Sequence, residues 1–398
     1  MSKETQAELN IGVIGHVDHG KTSLTSKLTG RWTDRHSEEI KQGISIKLGY
    51  ADASFYIDES LSGVQAYCTS KTHPLTGNKA KLVKKVSFVD NPGHETLMAV
   101  MLSSATLLNG ALLVVAANEP CPQPRTVEHV IALKMHGIKH LVVAQNKIDL
   151  VTKEEAKKNY ESLRKFLDDE GYNDSPIIPT SAHFDANIDA LIYALVNYIP
   201  TPKFNEKEAL KMQVVRSFDV NKPGTEIKDL KGGIIGGAIL KGSLNVGQAV
   251  WLYPGIDNNP VEFKIKSLNS GSYSLKTAHP GGLIAIGTDF DPLLCNSDKM
   301  VGQVVCVDES KPLLTNTLSF NYNKIDRLLK DDKTSIRIND KLVLIIGSTA
   351  YLALVKKIKN NNIDVILNKP AVFYQNDRIA VSRNIKSRWR LSGYGEIK

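Results

Sequence analysis

Apolar residues cluster in short runs along the chain, and the rhythm of those runs changes once, at Pro200-Thr201-Pro202. Before that point NIGVIG, KVSFVD, ALLVVAAN, LVVAQNK and PIIPTS are each of strand length, and amphipathic stretches such as 153–168 separate them. Such alternation predicts a parallel sheet with helices on both faces. Ligands gather at the carboxyl ends of the strands in sheets of this kind. Asp90, Asn118, Asn146 and Ser181 all close a run or follow one, so one rim of the sheet is expected to carry the chemistry.

Two prolines one residue apart stop a helix and stiffen a linker. Beyond them, from Met212, the runs QVVRSFDV, GGIIGGAIL, AVWLYPG, EFKIKSL, GGLIAIG and QVVCV are β-rich and broken by Gly, Pro, Asn and Asp, as expected of a small β-barrel. A second β series starts near Leu318 and continues through KLVLIIG, LALVKKI, IDVILN, RIAVSR and RWRLSGYG. Three domains are therefore expected, at 1–202, 203–312 and 313–398, which suits a chain of 398 residues.

Charge and cysteine content narrow the class. A formal net charge of +8 favours an acidic partner, nucleic acid first. Cys68, Cys121, Cys295 and Cys306 lie far apart without a C-x-x-C pair, which fits a reducing compartment and gives no disulfide framework. The opening MSKETQAELN is polar, which predicts neither signal peptide nor anchor, and no apolar run spans a bilayer. A cytoplasmic protein without membrane contact is expected.

The most specific stretch is NIGVIGHVDHGKTSLTSKL at 10–28, an apolar run, then Gly15 and Gly20 bracketing four residues, then Lys21, Thr22 and a helical pattern. This is the G-x-x-x-x-G-K-[ST] spacing of a P-loop. Its glycines let the backbone wrap a phosphate with N–H groups aimed inward and a helix N-terminus behind. Asp18, His19, Gly20, Lys21, Thr22 and Ser23 are the expected phosphate contacts; Lys21 neutralises the β- and γ-phosphates and Thr22 ligates Mg2+. His16 and His19 are expected in packing and backbone contacts.

Asn146-Lys147-Ile148-Asp149, after the run HLVVAQ, selects the base. A carboxylate at Asp149 accepts two hydrogen bonds from guanine N1 and its 2-amino group. Adenine lacks that donor pair and leaves a buried Asp149 unpaired, so the nucleotide is read as GTP/GDP. Ser181-Ala182-His183 stands where a further backbone contact to the base is expected. Asp90-Asn91-Pro92-Gly93-His94 follows KVSFV, and D-x-x-G at a strand end suits a magnesium-linked carboxylate and a γ-phosphate-sensing Gly93. Upstream, Ser45 within Gly43-Ile44-Ser45-Ile46 offers a second hydroxyl to the metal. His94 is the candidate catalytic residue, orienting the attacking water.

These residues resemble the translational GTPases. GHVDHGKTSLT, DNPGHE and NKID match that group in general. GISIKLGYADA, LLVVAANEPCPQPRTVEHV, GGLIAIGTDFDP with DKMVGQVV, and DRIAVSRNIKSRWRLSGYG resemble the gamma subunits of heterotrimeric translation initiation factor 2 of archaea and eukaryotes. The resemblance implies an α/β fold, a P-loop GTPase domain with a parallel sheet followed by two small β-barrel domains. It also implies a GTP-hydrolysing carrier of methionylated initiator tRNA to the small ribosomal subunit, working with alpha and beta subunits. A second Mg2+ then falls on Asp18 and Gly43.

The chain departs from the family at three places: Ser45 stands where threonine is usual, Asn91 replaces a small apolar residue, and 57–81 holds only Cys68 where two C-x-x-C pairs commonly bind zinc. Cys68 and His73 give two ligands where a closed zinc site needs four, so no zinc is expected. An elongation-type or specialised aminoacyl-tRNA carrier is the nearest alternative, and a GTP-dependent regulatory subunit that binds no tRNA is a more distant one. Arg378, Arg383, Lys386, Arg388 and Arg390, interleaved with Trp389 and Tyr394, have the composition of a nucleic-acid patch. Alternate residues of a strand face outward, so the same basic residues also fit a solvated barrel surface.

Overall fold

The computed structural model describes residues 5–30, 49–90, 105–205, 207–222, 224–325, 335–385 and 388–398. The chain divides into two compact units, Met1–Lys203 and Phe204–Lys398. No helix among the described residues is long and apolar enough to cross a membrane.

The first unit runs β1 (Leu9–Ile14), α1 (Lys21–Thr29), β2 (Gly49–Ile57), β3 (Tyr67–Cys68), β4 (Lys81–Asp90), β5 (Gly110–Ala116), α2 (Pro124–Met135), β6 (Leu141–Asn146), α3 (Lys153–Glu170), β7 (Ile177–Pro179) and α4 (Ile188–Tyr198). Its seven-stranded sheet has the order β3-β2-β4-β1-β5-β6-β7. The strands β4, β1, β5, β6 and β7 are parallel. Because β1, β5 and β6 are buried along their whole length, they read in the sequence as unbroken apolar runs. The edge differs from the expected parallel sheet: β2 and β3 add on antiparallel. GYADASFYI escaped the apolar-run pattern because its buried and half-buried positions alternate and several of them are Ala or Ser.

One core joins α1 and α4 to the sheet, with Leu24, Leu28, Leu191 and Leu195 against Leu9, Ile11, Val13, Leu112 and Val142. α3 starts in a capping box between Thr152 and Glu155 and ends at Gly171, whose φ of 85° is left-handed. α4 ends differently. The Lys84 ammonium of β4, itself buried, donates to the Val196 and Ile199 carbonyl oxygens at 2.5 and 2.6 Å. A cation at the C-terminus of a helix meets the negative end of its dipole and satisfies carbonyls that have no partner inside the helix.

In the second unit, strands between Lys211 and Cys306 form an eight-stranded sheet around a core that includes Met212, Val214, Ile235, Val250, Leu252, Phe263 and Ile284. A two-stranded piece accompanies it, Leu244–Asn245 with Thr277–Ala278. The remaining six strands close into a barrel, Leu313–Lys324 pairing with Arg388–Ile397 to complete the ring. Sheet and barrel are joined by Val304, Cys306 and Val372 packed with Trp251, Tyr253, Leu314 and Tyr374. Polar ties surround that cluster. The Tyr374 hydroxyl donates to the Ser310 carbonyl at 2.8 Å, and Lys211 Nζ lies 3.1 Å from Asp377 and 3.9 Å from the Tyr374 ring centroid.

The loop after β2 is organised by a carboxylate. Asp58, buried, accepts from Thr76 Oγ1 at 2.5 Å, Ser60 Oγ at 2.7 Å, the Ser60 N–H at 2.9 Å and Asn78 Nδ2 at 3.3 Å. His73 completes the loop: Nε2 donates to the Gln65 carbonyl at 2.9 Å and Nδ1 accepts from the Leu75 N–H at 3.3 Å. The Thr76 bond first, then those from Ser60, hold the Asp58 carboxyl well below the usual carboxylate range. A depressed carboxyl adds stability above its unfolded value, about 3.9, and that stability is lost as pH falls through the folded value. The amide resonances of Ser60, Thr76 and Asn78 should therefore shift together only well below about pH 4. Resonances that titrate together at the ordinary value would contradict this arrangement.

Candidate functional site

The P-loop connects β1 to α1. Gly15 takes φ 146°, and a Cβ there would lie 2.2 Å from the Val114 carbonyl oxygen, so only glycine lets the loop pass β5. Gly20 takes φ 90° as the N-cap of α1, and its Cβ would lie 2.4 Å from Asn146 Nδ2. Between them Asp18 is left-handed, with φ 63°. No side chain caps α1, and the first internal bond is from Leu24 N to the Gly20 carbonyl. The N–H groups of a first helical turn have no acceptor within the helix and stand ready for an anion. Lys21 is buried, its Nζ donating to the His16 carbonyl at 2.7 Å across the loop, while Ser23 is exposed on the first turn.

Thr22 Oγ1 donates to Asp90 Oδ2 at 3.2 Å, bringing the end of β4 to the start of α1. A hydroxyl beside a carboxylate is a hard-oxygen pair of the kind Mg2+ prefers, so these two residues fit the ion. Gly43, Ser45, Gly93 and His94 lie outside the described residues.

Asn146, at the end of β6, links two of the nucleotide segments. Its Nδ2 donates to the His19 carbonyl at 2.9 Å and its Oδ1 accepts from the Ala182 N–H at 3.1 Å. Lys147 follows with a left-handed φ of 62° and starts the short turn that carries Asp149. Asp149 is exposed, not buried as the expected role in base selection assumed. Ser181 and Ala182 are buried, and Ser181 pairs with Ala186 to shape the loop. His183 is exposed with its ring edge-on to Phe184, and the Lys27–Asp185 ion pair at 2.8 Å ties this loop to α1.

His19 has more contacts than the sequence implied. Its ring is fully buried, with Nδ1 3.1 Å from the Val114 carbonyl oxygen and Nε2 3.2 Å from Glu119 Oε2. Burial lowers its pKa more than these two contacts raise it. His129 of α2 is also buried, and burial, with the nearby Lys21 and Arg125 charges, pushes its pKa down to about 3. Neither Glu119 nor His129 was singled out from sequence; both lie in LLVVAANEPCPQPRTVEHV, one of the stretches that carries the family resemblance.

The basic segment near the C-terminus falls on the last two barrel strands, Arg378–Ile385 and Arg388–Ile397. Arg383 stands directly opposite Arg390, and Asn384 opposite Trp389, which is 41% exposed. Arg383 is buried and donates to the Ser335 carbonyl at 3.3 Å, whereas Arg390 is exposed.

Residues 6–201 match the family described as elongation factor Tu GTP binding domain, and residues 316–397 the one described as initiation factor eIF2 gamma, C terminal. A translation initiation factor 2 subunit gamma of Methanococcus aeolicus is 46% identical over 100% of both chains. The protein of that name from Sulfurisphaera tokodaii is 45% identical over 99% of both. Among solved structures, a bacterial selenocysteine-specific elongation factor EF-Sec superposes with a TM-score of 0.75 at 25% identity, over 98% of this chain and 58% of that one. Translation elongation factor SelB from Methanococcus maripaludis, in complex with the GTP analogue GppNHp, gives 0.74 at 21% identity, over 99% and 79%.

Asp149→Asn should weaken GTP binding and improve binding of xanthosine triphosphate, because the amide supplies a donor where guanine needs an acceptor. Competition binding with both nucleotides measures this, and an unchanged GTP affinity would refute the assignment.

Proposed function

The chain belongs to the family of translation initiation factor 2 gamma subunits, and from that premise we propose how its residues carry initiator tRNA under the control of GTP. It is a GTPase of translation initiation. We assign methionylated initiator tRNA as its cargo, the small ribosomal subunit as the destination, alpha and beta subunits as its partners, and the cytoplasm as its compartment. The domains are set at 1–202, 203–312 and 313–398. What carries this assignment is likeness along the whole chain to relatives bearing that one name, together with an Asn146 amide that joins P-loop to base loop.

The P-loop from Asp18 to Ser23 wraps the phosphates, with Lys21 turning from the His16 carbonyl to the β- and γ-oxygens. Asp149 accepts from guanine, while Lys147 and the 181–183 backbone flank the base. Thr22, Asp90 and Ser45 would hold Mg2+, which would supply charge neutralisation at the phosphates, and Asp18 and Gly43 would hold a second ion. Gly93 senses the γ-phosphate and His94 orients the attacking water, a reaction in which positioning and charge stabilisation supply most of the acceleration. Loss of the γ-phosphate removes contacts from 43–46 and 90–95 together, the usual route by which a GTPase changes partner affinity.

Binding and turnover should separate. Lys21→Ala should lose nucleotide affinity, whereas His94→Ala should keep it and lose turnover by about tenfold to a thousandfold. Equal loss of binding in both variants would remove His94 from this role.

Methionylated initiator tRNA should bind more tightly with GTP than with GDP, by a factor of roughly 5 to 150. Affinity should fall steeply with salt, as exposed basic residues such as Arg378 and Arg390 displace counterions from phosphates. Filter binding with the partner subunits present tests both points. Equal affinity in the two nucleotide states would exclude the carrier mechanism, and preference for an elongator aminoacyl-tRNA would favour the elongation-type alternative.

A further inference from the structure

The positive charge of the chain is not spread evenly. Residues 313–398 hold 16 Lys and Arg against 7 Asp and Glu, an excess larger than the formal net charge of the whole chain, so the six-stranded barrel is its basic body.

One side of that barrel is also apolar. Along Thr349–Lys359 and Asn362–Phe373, Ala353, Val355, Ile363, Val365 and Leu367 belong to the barrel core, so the residues that alternate with them face outward. Leu352 and Ile366 lie on this outer face, each 41% exposed. The register makes them neighbours: Leu354 stands between Ile366 on one adjacent strand and Lys341 on the other, and Leu352 faces Val343. Leu354 and Val343 are half-buried. Ile338 is exposed, and the next residue, Asn339, donates its N–H to the Val355 carbonyl at 2.9 Å, which holds that segment alongside the same strand. Apolar residues scattered singly over a surface need no partner, whereas a contiguous patch rimmed by polar groups marks an interaction site.

Lysines form the rim. Lys341, Lys356, Lys357, Lys359 and Lys369 are exposed on the same three strands, and Asp364, opposite Lys357, already accepts from Ser319 Oγ. A rim of one sign attracts carboxylates. The barrel is closed, so it offers no edge to an added strand. A partner seated here has to satisfy its own backbone groups, which a helix does within itself. Aliphatic side chains also set this side apart from a nucleic-acid surface, where arginines and aromatic planes meet phosphates and bases.

We propose that the outer face of Lys341–Ile346, Thr349–Lys359 and Asn362–Phe373 docks an acidic amphipathic helix of a partner protein. Its apolar side covers Leu352, Leu354 and Ile366, and its flanking carboxylates meet the lysines. None of these residues belongs to the nucleotide site assigned above, so the inference stands apart from that reading.

Fluorescence anisotropy of a labelled peptide titrated with the full chain tests this. The probe is a helix of about five turns with Leu at i, i+3, i+4 and i+7 and Glu on both flanks, and its twin carries Lys in place of Glu. The Glu peptide should bind and the Lys twin should not. Leu352→Thr with Ile366→Thr, which keeps strand-favouring residues, should weaken binding about tenfold or more. Lys341→Gln with Lys356→Gln should weaken it as well and flatten its salt dependence. Retained GDP binding and an unchanged melting temperature show that each variant is folded. A Glu peptide that does not bind, a twin that binds equally well, or either double variant with wild-type affinity overturns the proposal. So does an oligouridine RNA that displaces the peptide, which would assign the face to nucleic acid.

Discussion

A single buried amide sets the geometry on which the nucleotide site depends. Asn146 is nearly inaccessible, and it spends its donor on the His19 carbonyl and its acceptor on the Ala182 N–H. A side chain with one donor group and one acceptor can satisfy two loops at once and is costly to replace, because each buried loop group left behind would be unpaired. The P-loop and the loop at 181–183 are therefore held at a fixed distance from each other. The close approach of Gly20 to the same amide nitrogen is the steric counterpart: the loop comes so near that no side chain fits between.

Much of this was legible in the sequence because its motifs are backbone demands written as residue types. Gly15 and Gly20 announce the loop and apolar runs the buried strands, while the phosphate and metal roles proposed for Lys21 and Thr22 rest on the same motif. Contacts between distant side chains leave no such trace. Glu119 meets His19 across 100 positions and Asn159 across 40, and neither spacing has a period that a pattern can reveal. Barrel closure is hidden for a similar reason. Whether Leu313–Lys324 finds Arg388–Ile397 depends on the summed twist of the strands between them, whereas local alternation marks only that strands exist.

The loop at 58–80 was marked in the sequence only by what it lacks, paired cysteines. What holds it is a cluster of short polar side chains around Asp58. Ser, Thr, Asn and Asp at such spacing read as an ordinary solvated loop, since each residue alone favours turns. Only their convergence on one carboxylate distinguishes an ordered loop from a loose one, and convergence is a property of the fold.

The joint inside the 204–398 unit has a mechanical meaning. Val304, Cys306 and Val372 are buried between sheet and barrel, and the Tyr374 hydroxyl and the Lys211 ammonium fasten its edge. Well-packed apolar interfaces have low compressibility, so they transmit displacement where a loose linker would absorb it. A rotation applied to one of these β bodies would be passed to the other through that packed face.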